Sequence, residues 1–137
     1  MLTKKAKYAL KAALYLARRG SAGSVLIAEI ATAEKIPKKF LESILLAMKN
    51  RGILVSRKGR GGGYALARPA AQVSFGEIVR MMDGPLAPVP CVSATAYRRC
   101  DECASEELCE IRGVMQRVRD ASSAVLDATS LADVLGR

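Results

Sequence analysis

The sequence predicts a mainly α-helical chain with one small β-hairpin and a long helix near its end, and three stretches carry that expectation. Ile53-Leu54-Val55 and Tyr64-Ala65-Leu66, each too short for a helix, flank a loop of Arg57, Lys58, Arg60 and four glycines, with Ser56 leading into it. Glycine permits positive φ, so the two runs read as a hairpin with a cationic tip. Just before it, the run from Lys38 to Arg51 has Phe40, Leu41, Ile44, Leu45 and Met48 at helical spacing. Later, Leu108, Ile111, Met115, Val118, Ser122, Val125 and Thr129 alternate by three and four, the narrow seam of a coiled coil rather than a globular face.

Taken in order, Thr3 caps a first helix running to about Arg19. Ala6, Leu10, Ala13, Leu14 and Ala17 share one face, with Lys4, Lys7, Lys11 and Arg18 largely on others. Gly20 to Gly23 ends it. Ser24 is expected to cap a second short helix, Val25 to Glu34, that buries Leu26, Ile27, Ile30 and Ala31. Lys35-Ile36 makes the turn, and Pro37 opens a third helix that ends near Asn50-Arg51-Gly52. Beyond the hairpin, Ser74-Phe75-Gly76-Glu77 reads as a capping box for a fourth helix through about Asp83, with Ile78, Met81 and Met82 apolar. Gly84 stops it, and Pro85, Pro88 and Pro90 exclude regular helix up to about Arg99. The long helix is expected from near Ser105 to about Ala128, and Ser130 caps a last turn, Leu131 to Leu135.

Short helix, turn, helix and hairpin is the order of a winged helix-turn-helix, whose second helix enters the DNA major groove while the wing reaches backbone or minor groove. The expected division is a winged helix-turn-helix DNA-binding domain over 1–83, a cysteine-bearing sensor loop over 84–109, and a dimerisation helix with its C-terminal turn over 105–137. A lone helix cannot bury the seam, so Leu108, Ile111, Met115, Val118, Ser122 and Val125 are expected to pair with a second copy in a homodimer. Two recognition helices related by a two-fold axis favour an inverted-repeat operator in double-stranded DNA. Lys38, Lys39, Glu42, Ser43 and Lys49 are the candidates for the major groove, Glu42 and Ser43 able to read bases and the lysines positioning. Arg57, Lys58 and Arg60 would contact phosphate or enter a minor groove. The plainer reading of each is a solvated polar surface.

Composition points the same way. Lys and Arg number 22 against 13 Asp and Glu, a net charge of +9 over 137 residues, which fits a polyanionic partner. Hydrophobic residues make up 50% of the chain, enough for a core. Histidine is absent, which excludes His-based acid-base catalysis and mixed Cys/His metal sites, so an enzyme is not expected. There is no apolar run of roughly 18 residues, and Lys7 and Lys11 interrupt any signal-peptide core, so a cytoplasmic protein with no membrane partner is expected.

All four cysteines fall in one segment, Cys91-x8-Cys100-x2-Cys103-x5-Cys109. In a reducing compartment such a cluster binds metal or senses redox state more often than it forms structural disulfides. Four thiolates can complete an iron-sulfur cluster, 2Fe-2S or 4Fe-4S, or a tetrahedral zinc site. One CxxC with two wide gaps suits the larger inorganic group better than paired zinc knuckles do, and Arg98, Arg99 and a helix N-terminus near Ser105 would stabilise thiolates. Zinc, or thiol-disulfide switching with no metal, stays open as an alternative for a DNA-binding regulator. From another class, the chain could be an iron-sulfur electron carrier or assembly factor, a reading against which the glycine-rich cationic hairpin counts.

These residues together resemble the Rrf-two family of bacterial winged-helix regulators. The likeness lies in Lys7-Tyr8-Ala9-Leu10, Ile36-Pro37 to Leu41-Glu42, Gly52-Ile53-Leu54, Ser56-Arg57-Lys58-Gly59, Gly61-Gly62-Gly63-Tyr64-Ala65-Leu66, and the late cysteine loop before a long helix. The resemblance implies a dimeric transcription factor, expected to be a repressor, whose iron-sulfur cluster senses redox state, iron or cluster supply, or nitric oxide and controls how two recognition helices meet operator DNA. It also exposes departures. Cluster-binding relatives carry three cysteines at intervals like that from Cys103 to Cys109 plus a non-cysteine fourth ligand. Here Cys91 lies further off and Cys100 is additional. Arg112 stands where some relatives have a ligand histidine, and Lys7 where others draw an aspartate.

Overall fold

The computed structural model describes residues 2–20 and 23–136. Its elements run α1 (Lys4–Arg19), α2 (Ile27–Glu34), α3 (Lys38–Asn50), β1 (Leu54–Arg57), β2 (Gly63–Leu66), α4 (Phe75–Asp83), α5 (Glu110–Ala128) and α6 (Leu131–Val134), with single 3-10 turns at Ala70–Gln72 and Pro90–Val92. This is the expected α-helical chain with one hairpin, a winged helix-turn-helix followed by a long helix.

Apolar periodicity builds the core. Leu10, Leu16, Ile30, Leu41, Ile44, Leu45, Met48, Ile53, Leu54, Val73 and Ile78 form one cluster where α1, α2, α3 and α4 meet, and Leu131 of α6 is fully buried in it. Thr3 caps α1 by accepting from the Ala6 N–H at 3.1 Å, as its position predicts. Lys35 adopts the left-handed conformation (φ 56°, ψ 47°) and donates its backbone N–H to the Ala31 carbonyl, closing α2 before α3 begins. That cap gives the tight turn of the helix-turn-helix without a glycine.

The hairpin pairs Leu54 with Leu66 and Arg57 with Gly63. An isolated β-bridge beside the hairpin departs from the expected pattern. Val25 exchanges both backbone hydrogen bonds with Tyr64, each at 2.8 Å, so Ser24 does not cap α2 and Val25 does not begin it. The β-branched Val25 goes to the sheet edge, α2 starts at Ile27 with no side-chain cap, and Leu26 is 57% exposed rather than buried. Gly63 makes the approach possible. Its φ is +119°, and a Cβ there would lie 2.1 Å from the Val25 carbonyl oxygen.

Other expectations shift by a turn. Phe40 lies at the rim of the core, packed edge-on against Tyr8 at 5.6 Å. Ser74 accepts from the Glu77 N–H at 3.1 Å, but the Glu77 carboxylate takes Arg68 at 2.6 Å instead of returning to the cap. Ser105 caps an isolated turn, accepting from Leu108 N–H at 3.4 Å, so α5 begins at Glu110 and Leu108 lies outside it, 83% exposed. Ser21 and Ala22, within the expected helix stop, lie outside the described residues. No described helix is long and apolar enough to cross a membrane.

Replacing Gly63 with Ala should therefore cost about 3 kcal/mol, since both the backbone angle and the Val25 contact resist a side chain. Urea unfolding measures it; a loss under about 0.5 kcal/mol would contradict the close packing of Val25 on the hairpin.

Candidate functional site: a basic recognition face and a cysteine-lined cleft

Helix α3 divides its residues cleanly. Leu41, Ile44, Leu45 and Met48 are buried, whereas Lys38, Lys39, Glu42, Ser43 and Lys49 are all exposed on the other side. The Ser43 hydroxyl donates to the Phe40 carbonyl at 2.8 Å, which leaves its oxygen as an acceptor. Leu46, 49% exposed, lies on the same side, an apolar element among the polar ones. At the wing, Arg57, Lys58 and Arg60 are exposed, and among the described residues none of the cations named on α3 or the wing takes part in an ion pair. Gly59 and Gly61 take positive φ, while Gly62 is buried, its missing Cβ giving way to the Arg57 and Gly59 carbonyls. The wing therefore presents cations on a backbone that only glycines can turn.

The structure brings all four cysteines to one cleft. Cys91, Cys100, Cys103 and Cys109 line a cavity of about 580 Å3 together with Val89, Ala104, Leu108, Ile111 and Arg112. Each arrives by a different local device. Cys91 sits in the 3-10 turn after Pro90 and is buried. The Pro90 carbonyl accepts from Ser93 N–H and Arg98 N–H, each at 3.2 Å, folding the chain back, so that the exposed Cys100 reaches within 3.8 Å of Cys91, sulfur to sulfur. Cys103 donates its N–H to the Cys100 carbonyl at 3.2 Å, and the Arg99 guanidinium holds the Cys103 and Ala104 carbonyls. Cys109 is the N-cap of α5, its sulfur accepting from the Arg112 N–H at 3.4 Å.

Its hydrogen bond with Cys91, then burial and the other cysteines, raise the Cys100 thiol above the ordinary range. Among the described residues no three Cys, Asp or Glu side chains converge into a ready-made site for a single metal ion. The donor set still fits a sulfur-ligated group of several atoms. It is all thiol, it faces one cleft large enough for more than an ion, and it lies beside a helix N-terminus and the Arg112 guanidinium.

Two polar networks, one at this cleft and one near the far end of α5, leave no mark in the sequence. Arg112 pairs with Glu106 at 3.2 Å and donates to the Cys91 carbonyl at 3.3 Å, while the Tyr97 hydroxyl donates to Glu106. Arg112 is thus committed to holding the loop against α5. Further along, Arg80 of α4 grips Asp127 of α5 through two hydrogen bonds, 2.7 and 2.8 Å. A Cβ on Gly76 would fall 2.0 Å from that carboxylate. Residues 47 apart in sequence leave no local signal of such a pair.

A winged helix-turn-helix with an unpaired cationic face defines a class, the DNA-binding transcription regulators, and not an enzyme. The chain belongs to the Rrf2 family, whose model, described as an iron-dependent transcriptional regulator, matches residues 2–137. It is 46% identical to a putative HTH-type transcriptional regulator, rrf2-like, of Rhodobacter capsulatus, over 98% of this chain and 92% of the relative. It is 31% identical to the HTH-type transcriptional regulator NsrR of Geobacillus kaustophilus, over 98% and 88%. Among solved structures, CymR, the global cysteine regulator of Bacillus subtilis, superposes with a TM-score of 0.81 at 27% identity, covering 98% of this chain and 95% of that one.

The hydrogen bond from Arg80 holds the Asp127 carboxyl below the usual carboxylate range. A lowered folded value means the pair stabilises the fold above the ordinary carboxylate pKa of about 4 and loses that contribution as pH falls through the folded value. Both side chains are one-third to one-half open to solvent, so Asp127→Asn should cost only about 0.5–1 kcal/mol at neutral pH. In paired urea titrations the difference from the parent protein should shrink progressively as pH falls below about 4; a difference that acidification leaves unchanged would contradict the clamp.

Proposed function

We propose that this regulator binds an inverted-repeat operator as a homodimer, and that an iron-sulfur cluster held by Cys91, Cys100, Cys103 and Cys109 controls that binding. The observation that carries the reading is the convergence of all four cysteines, the whole thiol content of the chain, on one largely apolar cleft at the start of α5. The family model's description as iron-dependent supports it. Since Arg112 is engaged with Glu106 and the Cys91 carbonyl, Cys100 is the natural fourth ligand in this chain. When bound, the group supplies sensitivity to oxidant, to iron or cluster supply, or to nitric oxide.

The chain's own residues do the rest. Residues 85–109 would rearrange as their sulfurs gain or lose the group, and Arg112 would pass that change to α5. No residue of α5 is buried, and Ile111, Val114, Val118 and Val125 are 44–67% exposed. This strip supports pairing with a second copy, as does a groove of about 590 Å3 that Val118 and Ser122 share with Leu2 and 83–88. Lys38, Lys39, Glu42, Ser43 and Lys49 would face the major groove, and the wing cations the phosphates. The thiol-switch alternative is favoured by one observation, the 3.8 Å approach of Cys91 to Cys100.

Protein purified without oxygen should carry iron and acid-labile sulfide with visible absorption, lost when either Cys103 or Cys109 is changed to Ser; zinc without sulfide would overturn the cluster. Val118→Asp should convert a dimer to a monomer in light scattering, and a wild-type monomer at micromolar concentration would refute the pairing. Replacing Arg57, Lys58 and Arg60 together with Ala should weaken duplex binding about tenfold or more and lower the log-log salt slope by about two to three. An unchanged slope would remove the wing from the interface.

A further inference from the structure

We infer that Cys91 and Cys100 form a reversible disulfide in the cluster-free protein, and that this bond withholds two of the four ligands until it is reduced. The inference rests on the proposed cluster site in its consequence, though not in the bond itself.

The geometry is prepared for one pair. Two sulfurs 3.8 Å apart must close by about 1.8 Å to reach the bond length of about 2.05 Å, a change within reach of side-chain rotation. The backbone already holds them together. Arg98 N–H donates to the Pro90 carbonyl, and Ala96 N–H to the Ser93 hydroxyl at 2.9 Å, so the segment between the two cysteines is a closed loop before any bond forms. Cys100 is exposed and Cys91 buried, so by position alone the outer sulfur is the one a dissolved oxidant reaches, and the inner one lies beside it to resolve it. Cys103 and Cys109 have other tasks: one is tied into the Arg99 turn, the other caps α5. The chemistry balances with a peroxide as oxidant. The Cys100 thiolate attacks one peroxide oxygen, the O–O bond breaks, and sulfenic acid and hydroxide form; the Cys91 thiolate then attacks the Cys100 sulfur, forming the S–S bond and expelling a second hydroxide, and the two protons the thiols released convert both hydroxides to water. A dithiol reverses it by exchange.

The bond would also act mechanically. Cys91 belongs to the turn whose carbonyl Arg112 holds against α5, so the disulfide would pin the outer part of the loop to the base of the long helix.

The test uses full-length protein, emptied of iron and reduced, then treated with limiting hydrogen peroxide, alkylated and mapped by non-reducing peptide mass spectrometry. The expected product is a single intramolecular link between Cys91 and Cys100, with Cys103 and Cys109 alkylated. Cys100→Ser should abolish it and Cys103→Ser should keep it, with unchanged circular dichroism in both. The oxidised protein should then fail to take up iron and sulfide until treated with dithiothreitol. A dominant link involving Cys103 or Cys109, a bond between chains, or Cys100 oxidised beyond sulfenic acid without a bond would overturn the inference. Full uptake of iron and sulfide by the linked protein would overturn the gate. If reduced protein takes up no iron and sulfide at all, the cluster reading fails, while the mapped bond stands or falls separately.

Discussion

The long helix α5 has no buried residue, and the rest of the account depends on how it is held. Apolar burial is the dominant favourable term in folding and fixes the helices of the winged domain, but it does not fix this one. Polar anchors do so instead: the Arg80–Asp127 pair near its end and the Arg112 contacts to Glu106 and the Cys91 carbonyl at its start. Beyond it, backbone hydrogen bonds from Phe75 to Thr129 and from Leu131 to Val73 stitch the chain back onto the domain, and Leu131 plugs the core. Partly exposed pairs of this kind contribute about 1 kcal/mol or less each. An element held by small polar increments is one whose angle a local event can change, and a coupling of about 1–3 kcal/mol is all that regulation needs.

That event would occur at one end of the lever. The four cysteines come from a 3-10 turn, a folded-back loop, an arginine-braced turn and a helix cap. No single rigid element positions them, so what they hold, or whether two of them are joined, decides how the loop lies on α5. Cys100 is where this chain departs from the pattern it resembles, and it is also the sulfur closest to another.

Much of this was legible in the sequence. Periodicity placed α1, α3 and the core face of α3, glycines and cations placed the hairpin, and cysteine spacing singled out the segment that forms the cleft. Most of the failures share a physical cause, a partner that lies elsewhere in the sequence. Val25 leaves its expected helix because Tyr64 and a bare Gly63 offer it a strand partner, and nothing near position 25 announces that. Glu77 abandons its cap for Arg68, and Asp127 finds Arg80 across the fold. The start of α5 moved from Ser105 to Glu110 because Ser105 and Cys109 both have capping chemistry, and only packing chooses between them.

The claim that the sulfurs govern the grip on DNA has one direct test: the affinity of the same protein preparation, without oxygen, for a genomic duplex recovered with it, before and after the iron and sulfide are removed. The account predicts a difference of about tenfold or more at fixed salt, equivalent to about 1.4 kcal/mol of coupling. Equal affinity in the two states, with both still dimeric, would contradict it.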